Sequence, residues 1–369
     1  MTNAHSEILQ AVADTVLPLL HVMDLLAWAR QRVDPYGMAP LVQAIEGPEA
    51  GLAASLAPFR QADWPDALAA FRDAIDGAAG DALAAMDGLK AAAAADGFDA
   101  LRVARRALRQ HRAAEQALYP LAALSPPISQ YFLSHDRREA PDVLARLDAA
   151  ADAGNGHGGL IEAPGPTGGA RGGHAAYIPE YLDPSTPAPV VLALHGGRGN
   201  GPDFLWSWLP GARARGVVLI APTALGETWA IMGDDVDSPN LLRILDAVAA
   251  EGQALDRSRV LLTGMSDGGT FAYVAGLLDG GPATALAPFA ASFHPMLLEF
   301  ASPARLRSLP VRLTHGARDW MFPVDVARTA AAAFREAQAP VIYRELADRA
   351  HVFPEDEVGP TLDWFLGLN

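Results

Sequence analysis

The sequence contains no cysteine and only one lysine, Lys90, in 369 residues. The absence of cysteine excludes a disulfide framework, an iron–sulfur cluster and catalysis by a thiol. Basic residues are also few: Lys and Arg number 28 against 43 Asp and Glu, which gives a formal net charge of −15 at pH 7. Because binding to nucleic acid requires clustered Lys and Arg, nucleic acid is not an expected partner.

Long uninterrupted apolar runs are missing as well. No run approaches the roughly 20 apolar residues that span a bilayer, so the sequence predicts no membrane span. A secretory signal has a positively charged start and an unbroken apolar segment, whereas here no Lys or Arg precedes Arg30, and Glu7 and Asp14 interrupt the first apolar positions. We therefore expect a cytoplasmic protein. The heavy use of Ala, and of Arg in place of Lys, indicates a bacterium with a GC-rich genome.

Residues 1–150 have the pattern of a helical domain. Apolar residues recur there three or four positions apart, and Gly and Pro cut the segment into five or six helices. Residues 151–174 are rich in glycine, which predicts a linker or a hairpin. We expect the domain boundary there, to within about ten residues.

Residues 175–369 have a different pattern, in which short apolar runs bounded by turn signals alternate with helical stretches. This alternation predicts an α/β domain, a mostly parallel sheet with helices on both faces. The predicted strands are 189–195, 216–221, 259–263, 289–293, 310–314 and 340–345.

The segment Gly264-Met265-Ser266-Asp267-Gly268-Gly269 follows the predicted strand 259–263 and opens a predicted helix. A serine on so tight a turn has a strained backbone, and glycines are needed around it because larger side chains would collide. The helix N-terminus behind the hydroxyl favours a developing anion. An ordinary glycine-rich turn is the alternative, but the context favours Ser266 as a nucleophile.

A serine nucleophile needs a base to take its proton and a carboxylate to orient that base. In hydrolases with this turn, the chain order is Ser, then Asp or Glu, then His. Asp319 follows the predicted strand 310–314, and His351 is the only histidine after it. The order therefore selects Asp319 as the acid and His351 as the base. Asp348 is the rival acid, and a helix cap near Val324 is the alternative role for Asp319.

The glycine-rich segment His195–Gly201 lies at the end of the first predicted strand, 189–195. Backbone N–H groups that face a tetrahedral oxyanion contribute roughly 2.7–4 kcal/mol each. We expect the amides of Gly197 and Asp267 to be these donors, and His195 to be structural. A phosphate-binding loop is the alternative, but the segment lacks both the Gly-Lys-Ser/Thr ending and the G-x-G-x-x-G spacing.

Aromatic and apolar residues flank these segments in loops at the carboxyl ends of the predicted strands, where ligands bind in parallel sheets. Core packing is the alternative role for each of them. The residues expected to contact substrate are Trp206, Trp229, His294, Trp320 and Met321.

No metal or cofactor site is predicted. The acidic loop 233–240 has Pro239 and Asn240 where a calcium loop requires Asp or Asn and then Gly. A helix cap by Asp237 or Ser238 is the simpler explanation of this loop. The histidines show no metal-ligand spacing either.

Residues from about 160 to 369 resemble the α/β-hydrolase superfamily. Within it they are similar to phospholipase/carboxylesterase and dienelactone-hydrolase-like serine esterases, with polyhydroxybutyrate depolymerases and feruloyl esterases nearby. The resemblance implies the α/β-hydrolase fold, a Ser-Asp-His triad and an ester substrate. Residues 1–150 have no counterpart in the minimal family pattern. The matching segments are Leu194–Gly197, Gly264–Gly269, His315–Asp319 with Pro323, and His351.

The sequence therefore predicts a serine carboxylesterase that acts on a small-molecule ester through an acyl-enzyme on Ser266, without a cofactor. A polyester depolymerase, a feruloyl-type esterase, a peptidase and an acyltransferase are alternatives that use the same residues. A non-catalytic binding protein on a hydrolase scaffold is the alternative from another class. Residues 1–150 are expected either to cover the active-site entrance or to mediate self-association into a homo-oligomer.

Overall fold

The structure is a computed structural model that describes residues 3–153 and 158–368. Its internal contacts divide the chain into two units, Met1–Phe132 and Leu133–Asn369. We call them the helical unit and the sheet unit. Residues 154–157 of the predicted glycine-rich segment lie outside the described residues.

The described part of the helical unit contains six α-helices and no strand, as the sequence predicts. Apolar side chains at helical spacing form buried faces on these helices; Leu19, Met23 and Leu26 of the first helix are fully buried. The helices are α1 (Asn3–Arg30), α2 (Met38–Gln43), α3 (Pro48–Gln61), α4 (Ala69–Ala93), α5 (Gly97–Leu118) and α6 (Pro126–Tyr131).

Helix α1 is long and apolar enough to cross a membrane when it is judged by length and composition alone. The segment Ser6–Arg30 has 25 residues, with a mean hydropathy of 1.4. No membrane span was expected here because Glu7 and Asp14 interrupt the apolar positions of this segment. Core helices of soluble proteins and N-terminal signal sequences meet the same criterion, so it is weak evidence for a membrane span.

The sheet unit is built on one eight-stranded sheet with the strand order β1-β2-β4-β3-β5-β6-β7-β8. The pairs β1–β2 and β2–β4 are antiparallel, and the remaining pairs are parallel. The strands are β1 (Gly159–Ala163), β2 (His174–Ile178), β3 (Ala188–Leu194), β4 (Val218–Pro222), β5 (Leu255–Met265), β6 (Ala285–Phe289), β7 (Val311–Gly316) and β8 (Val341–Leu346).

Every residue of β4 and β6 is buried, so helices and loops cover both faces of the sheet. The predicted fold class, an α/β unit with a mostly parallel sheet preceded by a helical region, is confirmed. The helices of this unit are α7 (Pro141–Ala153), α8 (Gly201–Arg215), α9 (Asp237–Ala250), α10 (Asp267–Leu277), α11 (Pro303–Ser308), α12 (Val324–Glu336) and α13 (Val358–Leu366).

The division between the units falls at Phe132, earlier in the chain than the boundary expected from the sequence. Helix α7 belongs to the sheet unit, since Val143 and Leu147 are buried in one cluster with Ala214 of α8. The described part of the glycine-rich segment forms β1 and a turn that leads into β2. It is therefore a hairpin at the sheet edge.

The predicted strand 289–293 lies too late in the chain. Strand β6 ends at Phe289, because Ala290 adopts a φ of 44°, which no strand residue can have. His294 is therefore separated from the strand by an irregular segment and does not follow it directly.

The segment after His195, which the sequence pattern indicates as a loop, contains helix α8. The helix begins where the Asn200 side chain accepts a hydrogen bond from the backbone N–H of Asp203 at 2.8 Å. It ends at Gly216, whose φ of 71° suits the left-handed C-terminal position. Trp206 thus lies on a helix.

Candidate active site

Ser266 occupies the turn between β5 and α10 with φ 57° and ψ −122°, a left-handed conformation that is rare for a residue other than glycine. The turn is joined to the end of β6 by the Ser266 N–H, which donates to the Phe289 carbonyl at 3.0 Å. A Cβ atom added to Gly264 would lie 2.6 Å from backbone atoms of Gly268, and one added to Gly268 would lie 2.3 Å from the Leu194 carbonyl oxygen. Both positions therefore require glycine, as the sequence pattern predicts.

Ser266, His351 and Asp319 lie in one hydrogen-bonded line. His351 Nε2 is 3.1 Å from Ser266 Oγ, and His351 Nδ1 is 2.8 Å from Asp319 Oδ2. The three residues come from the ends of different strands and are separated by up to 85 positions in sequence. All three are buried, with exposed fractions of 4–7%. The structure thus brings together the three residues that the chain order selected.

The surroundings of Asp319 fix both its orientation and its charge. Its Oδ1 accepts two hydrogen bonds, from the backbone N–H groups of Met321 and Phe322, each at 2.8 Å. Burial acts to raise the pKa of Asp319, but the hydrogen bond from His351 and the N–H groups of the loop outweigh it, so the pKa lies below its ordinary value. The carboxylate is therefore charged.

A charged carboxylate only accepts hydrogen bonds, so the proton of neutral His351 resides on Nδ1 and points at Asp319. The lone pair on Nε2 then faces the hydroxyl of Ser266. This tautomer is the one that can take a proton from the serine. Asp348, the rival acid, instead pairs with Arg349.

The segments that carry the two expected oxyanion donors lie close to Ser266. The amide of Asp267 directly follows the serine at the start of α10, and the segment 195–199 passes beside the turn. A Cβ atom added to Gly196 would lie 3.6 Å from Ser266 Cβ, and one added to Gly197 would lie 2.6 Å from Asp267 Oδ2. Within residues 3–153 and 158–368, neither the Gly197 amide nor the Asp267 amide donates to a protein acceptor.

His195 is held as a neutral structural residue. Its Nδ1 lies 2.6 Å from the Gly196 carbonyl, to which only an N–H can donate, and its Nε2 accepts from the Ala224 N–H at 3.1 Å. These two bonds require the tautomer with the proton on Nδ1. Burial lowers the pKa of His195 to about 4, so the ring is uncharged near neutral pH.

The five residues expected to contact substrate differ in their surroundings. Trp320 and Met321 adjoin Asp319; the Trp320 ring centroid is 5.6 Å from that of His351, and Met321 is 44% exposed. His294 is exposed, and its Nδ1 accepts the N–H of Met296. Trp206 and Trp229 are buried.

The contacts of Trp229 are those of a packing residue. Its indole N–H donates to the His195 carbonyl at 2.8 Å, and its ring stacks on Phe271 at 5.4 Å. Trp229 therefore supports the segment that carries Gly197, and its ring is not available to line an open pocket.

Three residues in and around this site make contacts that were not predicted from the sequence. Thr228 donates from Oγ1 to Asp267 Oδ2 at 2.6 Å. His315 Nε2 lies 2.9 Å from the Phe322 carbonyl and 3.4 Å from Asp319 Oδ2. Asp237, interpreted as a helix cap, instead accepts the backbone N–H groups of Leu225 and Ala230 in the preceding loop. Of these contacts, only that between His315 and Asp319 is indicated by the sequence, since the two residues are four positions apart.

No metal site is found in the described residues, because no three His, Asp or Glu side chains there are grouped closely enough to hold an ion. The acidic loop 233–240 directs Asp237 inward to backbone N–H groups, and its Asp235 accepts the N–H of Ser238. Both carboxylates therefore accept hydrogen bonds from backbone N–H groups of nearby segments.

No protein-family model matches the sequence, and no curated protein is similar to it. Solved structures with a similar fold include a thermostable esterase at 19% identity and a TM-score of 0.42, which covers 57% of this chain. Esterase 2 of Thermogutta terrifontis with bound butyrate has 18% identity and a TM-score of 0.44 over 53% of this chain. The fluorophosphonate-binding serine hydrolase F of Staphylococcus aureus has 14% identity and a TM-score of 0.48 over 58%.

The chain spans 62% of the length of the thermostable esterase, 88% of the Thermogutta esterase and all of the Staphylococcus hydrolase. These structures are esterases and serine hydrolases, the class that the sequence resembles. At such low identity and TM-score, a functional assignment has to rest on the geometry of this chain's own residues.

Proposed function

We propose that the protein is a serine carboxylesterase, with Ser266 as the nucleophile, His351 as the base and Asp319 as the acid that orients it. The observation that carries the proposal is the unbroken line of hydrogen bonds from Asp319 through His351 to the hydroxyl of a strained serine. A buried imidazole held by an ionised carboxylate is the arrangement that activates a hydroxyl.

In the first half-reaction, Ser266 Oγ forms a bond to the carbonyl carbon of the ester while its proton passes to His351 Nε2. The carbonyl oxygen becomes an oxyanion, which the amides of Gly197 and Asp267 stabilise. When this intermediate collapses, the bond to the alcohol oxygen breaks. His351 returns its proton to that oxygen, so the alcohol leaves neutral and the acyl group stays on Ser266.

In the second half-reaction, a water molecule replaces the alcohol. His351 Nε2 takes a proton from the water as its oxygen attacks the acyl carbon, and a second oxyanion forms at the same two amides. The bond to Ser266 Oγ then breaks, the serine recovers its proton from His351, and the carboxylic acid leaves. The residues of the chain suffice for both steps, and no cofactor enters the scheme.

The proposal is tested by hydrolysis of p-nitrophenyl esters of graded chain length. Wild type should turn over these esters, and Ser266→Ala should retain less than about a thousandth of the rate. The matched control is Ser258→Ala, which removes an exposed hydroxyl from the same strand and should leave the rate unchanged. Equal rates for wild type and folded Ser266→Ala would overturn the mechanism.

The same protein assayed on peptide, feruloyl and polyester substrates distinguishes the alternatives. A carboxylesterase should prefer soluble short esters by at least tenfold in kcat/KM over all three. Added alcohol acceptors reveal acyl transfer as an ester product in place of the free acid. A strong preference for the polymer, the peptide or the acceptor would change the assignment while leaving the role of Ser266 intact.

A further inference from the structure

The loop 223–230 contacts both of the segments that carry the expected oxyanion donors. We call it the brace loop. It touches the segment 195–199 through three hydrogen bonds: the Ala224 N–H to His195 Nε2 at 3.1 Å, the Trp229 indole N–H to the His195 carbonyl at 2.8 Å, and the Arg198 N–H to the Glu227 carbonyl at 3.2 Å. Gly197 lies between the two anchored residues of that segment.

The second contact of the brace loop is with the residue after the nucleophile. Thr228 Oγ1 donates to Asp267 Oδ2 at 2.6 Å, a short bond to a charged acceptor. The same oxygen lies against Gly197, since a Cβ atom added there would come within 2.6 Å of it. Thr228 therefore fixes the carboxylate that separates the two donor-bearing segments, and with it the spacing between the amides of Gly197 and Asp267.

The brace loop is itself held closed by Asp237, the first residue of α9. Asp237 is 1% exposed, and its two oxygens accept the backbone N–H groups of Leu225 at 2.9 Å and Ala230 at 2.8 Å. One buried carboxylate thus joins the two ends of the loop that carries Thr228. Loss of either bond would leave a partly buried N–H without its acceptor, which destabilises the loop.

We propose that the brace loop positions the oxyanion hole, and that Thr228 and Asp237 are positioning residues for the reaction. The inference rests on the proposed function, because it assigns an oxyanion to the Gly197 and Asp267 amides. Neither Thr228 nor Asp237 needs to touch the substrate. Donor placement matters only when the carbonyl oxygen has become an anion, so their loss affects kcat and leaves KM unchanged.

The experiment measures kcat and KM for p-nitrophenyl butyrate in wild type, Thr228→Val and Thr228→Ser. Reaction with a fluorophosphonate gives the fraction of active sites in each preparation. Valine has a similar shape but no donor, so kcat should fall about 10-fold to 100-fold, as for a small misplacement of catalytic groups, with KM within about twofold. Serine keeps the hydroxyl and should restore kcat to within about threefold of wild type. Inhibition by an alkyl boronic acid, which mimics the tetrahedral state, should weaken by the same factor as kcat.

Thr284→Val is the matched control, because its hydroxyl bonds only to the backbone of Val260, at the opposite end of the strands. It should lower the unfolding temperature without changing kcat. Thr228→Ala, which cannot clash, replaces Thr228→Val if the valine variant fails to fold. Asp237→Asn, which retains one acceptor for two N–H groups, should lower kcat in the same way.

A Thr228→Val kcat within twofold of wild type, or a rise in KM at unchanged kcat, overturns the inference. Failure to restore kcat with serine also overturns it. A wild type that neither reacts with the fluorophosphonate nor hydrolyses the ester overturns the proposed function itself. The two failures are therefore distinguishable.

Discussion

Replacement of Asp319 by asparagine should reverse the direction of the hydrogen bond to His351. Two backbone N–H groups bind Oδ1 of Asp319 at 2.8 Å, so the single carbonyl oxygen of an asparagine would take that position. Its NH₂ group would then occupy the place of Oδ2, 2.8 Å from His351 Nδ1. Because an NH₂ group donates, Nδ1 would have to accept, and the ring proton would move to Nε2.

With its proton on Nε2, His351 can no longer take the proton of Ser266, although every heavy atom keeps its place. A wrong tautomer of this kind lowers kcat by about 10³- to 10⁴-fold, or about 4 to 5.5 kcal/mol of activation free energy. The assay is steady-state hydrolysis of p-nitrophenyl butyrate at pH 7 to 8, with circular dichroism to verify folding. KM should change little, since the Asp319 side chain is fully buried behind His351.

Asp325→Asn is the matched control for this change. Its carboxylate is 80% exposed and pairs with Arg328 at 2.9 Å, so its removal should leave kcat within about twofold. If folded Asp319→Asn retained more than a tenth of the wild-type kcat, the orienting role of Asp319 would be refuted.

Three further predictions concern stability. Gly268→Ala places a Cβ atom 2.3 Å from the Leu194 carbonyl oxygen and should cost about 3 kcal/mol or more, visible as an unfolding temperature lower by about 6 °C or more. The side chain of Arg215 is 5% exposed and makes two ion pairs, so Arg215→Met should lower the unfolding temperature by about 4 °C or more. Burial lowers the pKa of His111 to about 3; burial would raise the pKa of Glu115, but neighbouring guanidiniums lower it to about 2. Because both folded pKa values are depressed, the stability that these two groups contribute is fully present above about pH 6.5 and is lost as the pH falls towards 2. Thermal melts at pH 7, 5.5 and 4 should show this loss in wild type. The loss should be smaller in His111→Gln.

The parts of the fold and site that the sequence predicted are those with a local pattern or a fixed chain order. The turn around Ser266 needs glycine on both sides for steric reasons, so its pattern is visible in the sequence. Asp319 and His351 could be selected because they follow Ser266 in order and lie after strands. The helical character of the first part of the chain followed from apolar spacing alone.

The contacts that the sequence did not predict lack a pattern, whether they join distant or neighbouring parts of the chain. Thr228 meets Asp267 across 39 positions, and Asp237 bonds backbone groups of the brace loop, where any residue type presents the same N–H. The boundary at Phe132 was missed for a similar reason, since the burial of α7 depends on residues of α8 that follow far along the chain. Trp229 was predicted to contact substrate because of its position in a loop after a strand. Sequence position does not show whether tertiary packing buries an aromatic ring, and Trp229 is buried.

The most direct measurement of the central claim is the mass of the protein after reaction with a fluorophosphonate, followed by identification of the modified peptide. We predict one adduct per chain, located on Ser266, no adduct in Ser266→Ala, and strongly slowed labelling in His351→Ala. A folded wild-type protein that takes up no label, or takes it up on another residue, would contradict the claim that Ser266, His351 and Asp319 form a working nucleophile.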